Sequence, residues 1–183
     1  MSLLVPKRVF FTKGTGKHRN KLQSFELALR EAGIAECNLV RVSSILPPRC
    51  QIITKSKGVS QLTPGQIAFV VLSEEATNEP TRLIGAGVGL AQPANRDHYG
   101  YISEHHCAGM RKKEMADLVE DMAATMLATT LGIEFDPETG YDKRREIYKM
   151  SGKIVRSQYS VETAEGDENR LWTTVVAAAV FIL

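Results

Sequence analysis

The stretch Asn38-Leu39-Val40-Arg41-Val42-Ser43-Ser44-Ile45-Leu46-Pro47-Pro48 decides how the chain is read. Its first five residues alternate and are rich in β-branched side chains, the pattern of a strand. Two adjacent serines follow, then a diproline stop. Pro47 disfavours helix at Leu46, because its ring crowds the backbone before it. The strand therefore delivers Ser43 and Ser44 to a forced turn, where backbone strain can be stored. As a bare dipeptide Ser-Ser is an ordinary loop element, since serine and proline both favour turns. At a strained strand end it has a second chemistry. The Ser44 hydroxyl can attack the Ser43 carbonyl and convert the amide to an ester. β-Elimination then frees the upstream piece and leaves a dehydroalanine, whose hydrolysis gives a pyruvoyl group at position 44. Asn38 could supply an amide that polarises the Ser43 carbonyl or holds the turn.

Working outward, Val5 to Phe11 reads as a first strand and Thr12-Lys13-Gly14-Thr15-Gly16-Lys17 as a turn. Residues 20–33 are predicted as a helix ending at Gly33, a residue suited to the left-handed position after a helix. Residues 36–43 form a strand, and a second extended piece runs from about Ser44 to Thr54. Lys55 to Pro64 is a polar loop. Strands are expected at Gln66–Ser73, Leu83–Leu90, His98–His106, Ser151–Val161 and Leu171–Phe181. Gly85, Gly87 and Gly89 mark a place of close approach. Met115, Leu118, Val119, Met122, Ala123, Met126 and Leu127 recur at helical spacing and give one amphipathic helix. Residues 134–146 read as loop. Strands in groups with two clear helices argue an α+β sandwich.

Length and composition narrow the class. A chain of 183 residues suits a single domain with ample core. The 43% hydrophobic and 24% charged content is that of a globular protein. A net charge of +2 supports neither nucleic-acid nor membrane binding. No apolar stretch reaches the length of a membrane span. Lys7, Arg8 and Lys13 interrupt any signal-peptide core. Cys37, Cys50 and Cys107 are odd in number and widely spaced, which suggests free thiols in a reducing cytoplasm.

Two carboxylates stand out. Glu26 falls among Leu22, Phe25 and Leu29 of the predicted helix, where a charge is costly unless paired. It is either a stripe-edge group reaching water or a partner waiting for a cation, which a guanidinium satisfies bidentately. Glu104 shares a strand face with Ile102 and His106, while Tyr101, Ser103 and His105 share the other. It is either a solvated strand residue or an acid able to protonate a carbanion.

The stretch Asn38–Pro48 closely resembles the processing site of the pyruvoyl-dependent arginine decarboxylases. Leu22-Gln23-Ser24-Phe25-Glu26-Leu27-Ala28-Leu29-Arg30-Glu31-Ala32-Gly33-Ile34 is similar to the helix before that site. Gly100-Tyr101-Ile102-Ser103-Glu104 is similar to the segment carrying the family's acid. The resemblance implies a layered αββα sandwich of the pyruvoyl-dependent histidine/arginine decarboxylase type. It implies cleavage into a β chain, 1–43, and an α chain, 44–183, assembled as a homotrimer with sites between protomers. It implies conversion of L-arginine to agmatine and carbon dioxide, with a covalent pyruvoyl group derived from Ser44 as cofactor. Ser43, Ser44 and Asn38 would serve self-processing, and Ser44 and Glu104 catalysis, with Glu104 as proton donor. Glu26, Leu22, Ser43 and Ile45 would bind substrate. The family's acid at the helix position is aspartate, and Glu26 is one methylene longer. The same chemistry on histidine or ornithine, or an uncleaved non-catalytic paralogue serving as a partner subunit, are the alternatives.

Other motifs carry less. Gly14-Thr15-Gly16-Lys17 lacks the spacing and the following Ser/Thr of a phosphate loop. Gly85, Gly87 and Gly89 do not make a dinucleotide fingerprint. His105 and His106 point to opposite strand faces, so no metal site is expected with His98 and Cys107. Arg111-Lys112-Lys113 and Lys143-Arg144-Arg145 read as solvated charge.

Overall fold

Two sheets face each other, and each is covered on its outer side by a long helix. The computed structural model describes residues 4–134, 136 and 138–183. In chain order these form β1 (Arg8–His18), α1 (Lys21–Ala32), β2 (Asn38–Arg41), β3 (Ile45–Leu46), β4 (Gln51–Ile53) and α2 (Lys55–Val59). There follow β5 (Ile67–Thr77), β6 (Leu83–Pro93), β7 (Gly100–Ala108), α3 (Lys112–Thr130), α4 (Tyr141–Met150), β8 (Ile154–Glu165) and β9 (Trp172–Ile182). The five-stranded sheet has the order β2-β5-β9-β1-β4, and the four-stranded sheet β3-β7-β6-β8. This is the αββα sandwich expected.

The apolar C-terminal run explains the layering. β9 is buried on both faces beyond Trp172, so its sequence is continuously apolar rather than alternating. Val175, Ala177, Ala179 and Phe181 point between the sheets, where they meet Val71, Val88, Leu90 and Ile102. Val176, Ala178, Val180 and Ile182 point the other way, towards Ala28, Leu29 and Ala32 of α1. On the far side, Met115, Val119 and Leu127 of α3 cover the four-stranded sheet. Among the described residues, no helix is long and apolar enough to cross a membrane.

The glycines read as a turn at 12–17 are instead the interior of β1. A β-carbon at Gly14 would stand 2.2 Å from the Ala28 carbonyl oxygen, and one at Gly16 2.0 Å from that of Ser24. The strand lacks side chains there so that α1 can dock backbone to backbone. Asn20 caps the helix by accepting from Leu22 and Gln23 N–H, and Gly33 ends it at φ 78°.

Other expectations are corrected in place. The extended piece 44–54 is two short strands, β3 and β4, which belong to different sheets. The polar loop 55–64 begins with α2, capped by Thr54. The strand expected at His98–His106 lies two residues later, as β7. The loop expected at 134–146 gives way to α4 at Tyr141, and residues 135 and 137 of it lie outside the described residues. Arg144 is not solvated. It ion-pairs with Asp121 on α3 and donates to the Thr139 carbonyl.

Candidate active site

The Ser43–Ser44 peptide is where the chain passes from one sheet to the other. The Val42 N–H donates to the Val70 carbonyl at 2.9 Å, so pairing with β5 persists to that residue. Two residues on, the Ser44 carbonyl accepts from the Ile102 N–H at 2.8 Å, in the other sheet. Downstream, Leu46 is 1% exposed in the inter-sheet core, a burial that contributes about 1.5–3 kcal/mol to holding β3 in place. The peptide is thus pinned on both sides. Between the pins the Ile45 N–H turns back onto the Ser43 carbonyl at 3.0 Å, closing a three-residue turn. The carbonyl that Ser44 would attack already holds a donor that can stabilise an oxyanion.

β7 brings Glu104 to this turn. The β3–β7 register pairs Ile45 with Tyr101 and Leu46 with Gly100. Continued by one residue it sets Ser44 opposite Ile102, and Glu104 lies two residues beyond. Ile102 packs between the sheets, so Glu104 shares the inter-sheet side of β7. Ser103 turns the other way and donates to the Val119 carbonyl of α3. The Glu104 side chain is exposed and, among the described residues, makes no hydrogen bond or ion pair. Beside the turn lies an apolar depression of about 470 Å³ lined in part by Val5, Val42, Ser43, Ile45, Phe69 and Phe181. The Cys50 thiol is buried nearby. Burial pushes it up to about 11 against the opposing charge of Arg96, so it stays protonated at neutral pH.

Glu26 and Leu22 are placed elsewhere in the protomer. The buried face of α1 is Ser24, Ala28, Leu29 and Ala32, not a stripe through Leu22. Leu22, Glu26 and Arg30 follow one another at four-residue spacing along the outer side. Leu22 is 73% exposed. Glu26 is ion-paired with Arg30, an exposed pairing that contributes little and is easily exchanged. α1 lies over β1 and β9, on the side of the five-stranded sheet away from the four-stranded one. The sheet itself therefore stands between Glu26 and Ser44 of one protomer. Asn38 is also apart from the turn. Its side-chain amide donates to the Gly65 carbonyl at 2.8 Å, and five extended residues, about 16 Å, separate it from Ser43.

With this geometry in view, the comparison with known sequences is direct. The family model described as pyruvoyl-dependent arginine decarboxylase matches residues 8–183. The chain belongs to the pyruvoyl-dependent arginine decarboxylase family. It is 56% identical over 178 residues to a probable pyruvoyl-dependent arginine decarboxylase of Chloroherpeton thalassium, covering 97% of this chain and 98% of the relative. A similarly named protein of Chlorobium limicola is 57% identical over the same shares. The pyruvoyl-dependent arginine decarboxylase of Methanococcoides burtonii is 52% identical, covering 98% of this chain and all of the relative.

Residue 44 fits the pyruvoyl group for which the decarboxylase family is named. It is a serine, its preceding carbonyl carries the Ile45 donor, and its own carbonyl is fixed by Ile102. The Ile45 amide was invisible in the sequence, because a backbone donor has no residue signature. The partner of Ser44 on β7, Ile102, follows only from the strand register. Among the described residues, no group of three His, Cys, Asp or Glu side chains is placed to hold a metal ion.

Proposed function

We propose that the chain cleaves itself between Ser43 and Ser44 and then converts L-arginine to agmatine and carbon dioxide. The observation that carries this reading is the Ser43–Ser44 peptide, pinned between two sheets with the Ile45 N–H on its carbonyl and Glu104 two residues from the Ile102 contact. Ser44 Oγ is the attacking group in processing, and the Ile45 N–H stabilises the oxyanion formed at the Ser43 carbonyl. Asn38, which holds β2 against Gly65, keeps the strand that delivers the serines in place. The pyruvoyl group at position 44, once formed, supplies a ketone for the substrate amine and a conjugated sink for the electron pair left by carbon dioxide.

The remaining roles belong to the side chains. Glu104 delivers a proton to the carbon that has lost its carboxylate. Glu26 exchanges Arg30 for the substrate guanidinium, and Leu22 covers the aliphatic stem. Ser43 and Ile45 line the near wall of the pocket. Because the five-stranded sheet separates Glu26 from Ser44, a complete site takes α1 from a neighbouring protomer. A trimer of cleaved protomers supplies that arrangement, and it covers the exposed Leu22. The three free thiols suit a reducing cytoplasm.

The test is release of carbon dioxide from carboxyl-labelled amino acids by the purified protein. Arginine should be turned over well ahead of ornithine, lysine and histidine, with agmatine as product. Preferential turnover of a shorter or uncharged substrate would overturn the arginine assignment.

A further inference from the structure

Ser73 is a hydroxyl where the fold needs none. It lies on β5 at 2% exposure, on the side that faces the four-stranded sheet, and its same-face neighbour Val71 is part of the apolar inter-sheet core. A buried hydroxyl is costly unless both its hydrogen-bonding functions are met. Here they are met by the opposite sheet. Ser73 Oγ donates to the His105 carbonyl at 2.6 Å and accepts from the Gly87 N–H at 3.3 Å. His105 and Gly87 are register partners on β7 and β6. One side chain thus ties β5 to two strands of the other sheet, at the residue next to Glu104.

This tie stands at the level of the cleavage site. Arg41 of β2 pairs with Val70 of β5, and the Val42 N–H donates to the Val70 carbonyl. The serines therefore leave the five-stranded sheet beside the segment that carries Ser73. Residue 44 is attached to that sheet through β2 and to the other through β3, whereas Glu104 belongs to β7 alone. We infer that Ser73 is a positioning residue of the site: its hydroxyl fixes β7 against β5 and so sets where Glu104 stands relative to residue 44. The inference rests on the reading of Glu104 as the proton donor.

A second cross-sheet hydroxyl gives the control. Ser160 Oγ on β8 donates to the Thr12 carbonyl on β1 at 3.3 Å, and β8 is the edge strand farthest from β3 in its sheet. Ser73→Ala, Ser160→Ala and Glu104→Gln, with the double variant Ser73→Ala/Glu104→Gln, should be compared in the full chain for self-cleavage, kcat and KM on arginine. If Ser73→Ala lowers the yield of folded protein, Ser73→Cys keeps the volume and weakens the bonds. The expectation for Ser73→Ala is completed self-cleavage, KM within about twofold, and kcat down by about tenfold, the scale of a small misplacement of a reacting group. Ser160→Ala should leave kcat unchanged. In the Glu104→Gln background, Ser73→Ala should change the residual rate by less than about twofold, because the group it positions is gone. A full tenfold loss in both backgrounds would overturn the inference, as would an equal loss in Ser160→Ala or normal kcat in Ser73→Ala. Near-normal turnover in Glu104→Gln alone would instead remove the reading on which it rests.

Discussion

Gly16→Ala adds a single methylene in net composition, yet it should unseat a helix. The new β-carbon would lie 2.0 Å from the Ser24 carbonyl oxygen and 2.5 Å from the Ala28 nitrogen, both backbone atoms of α1. Such contacts are essentially not found under 3.0 Å. α1 must therefore retreat from β1 by at least about 1 Å, because neither partner is a flexible side-chain end. A retreat of that size forfeits a quarter to a half of the dispersion along the buried line Ser24, Ala28, Leu29 and Ala32. It also stretches the Ser24 to Thr174 hydroxyl bond, now 2.7 Å. Overpacking of this kind costs about 3 kcal/mol, which for a chain of this size lowers the melting temperature by about 6–12 °C. Circular dichroism melts of the Gly16→Ala and wild-type proteins check the figure. The same shift moves Glu26, so KM for arginine should rise, while the proposed self-cleavage, at a peptide on the other side of the sheet, should proceed. A melting temperature within about 2 °C of wild type would refute the claim that α1 docks backbone to backbone.

Four further outcomes are expected. Ser44→Ala should give one uncut and inactive chain, checked by gel and by turnover; two fragments from that variant would move the processing site. Glu104→Gln should cleave itself yet lose most of its decarboxylase rate, measured as agmatine formed per active chain. Glu26→Gln should raise KM for arginine by about tenfold or more with a smaller change in kcat, since a charge-assisted guanidinium contact is lost. Glu162 bears on acid stability. Burial opposes its ionisation, but hydrogen bonds and charge from Lys112 and Lys13 prevail and hold its carboxyl below the ordinary value of 4.5. A depressed folded value contributes stability above pH about 4.5 that is lost as pH falls through it. Urea midpoints at pH 3.5 and pH 6 should therefore differ less in Glu162→Gln than in wild type.

The parts of the fold that the sequence discloses are those where a continuous apolar run or one periodicity dominates. β5, β6, β9 and α3 announce themselves because their side chains pack on whole faces. The sequence shortens β1 because glycines at 14 and 16 look like a turn, and only the helix lying on them shows why they sit in a strand. α4 is hard to read because its stretch is mostly charged, and Tyr148 is buried on it at 3% exposure. Arg144 looked solvated for the same reason, although Asp121 waits for it on α3. At the candidate site, Ser43 and Ser44 stand out by residue type and Glu104 by the family resemblance, and the β3–β7 register sets Ser44 opposite Ile102, two residues from Glu104. Leu22, Glu26 and Asn38 are equally legible as residues, but the distance of Leu22 and Glu26 from Ser44 within a protomer is a property of the sheet between them, and that of Asn38 a property of the extended strand it begins. Ser73 carries no sequence signal, since its partners are backbone atoms of His105 and Gly87, distant in the chain, and the Ile45 N–H carries none because a backbone donor has no residue signature.

The central claim is that the Ser43–Ser44 bond breaks itself and leaves a pyruvoyl group. An intact mass spectrum of the purified protein tests it most directly. The account predicts two masses, one for residues 1–43 and one for residues 44–183, the latter lighter by one ammonia than a chain beginning with serine. A single full-length mass that persists after prolonged incubation would contradict it, and so would an α chain that begins with unmodified Ser44.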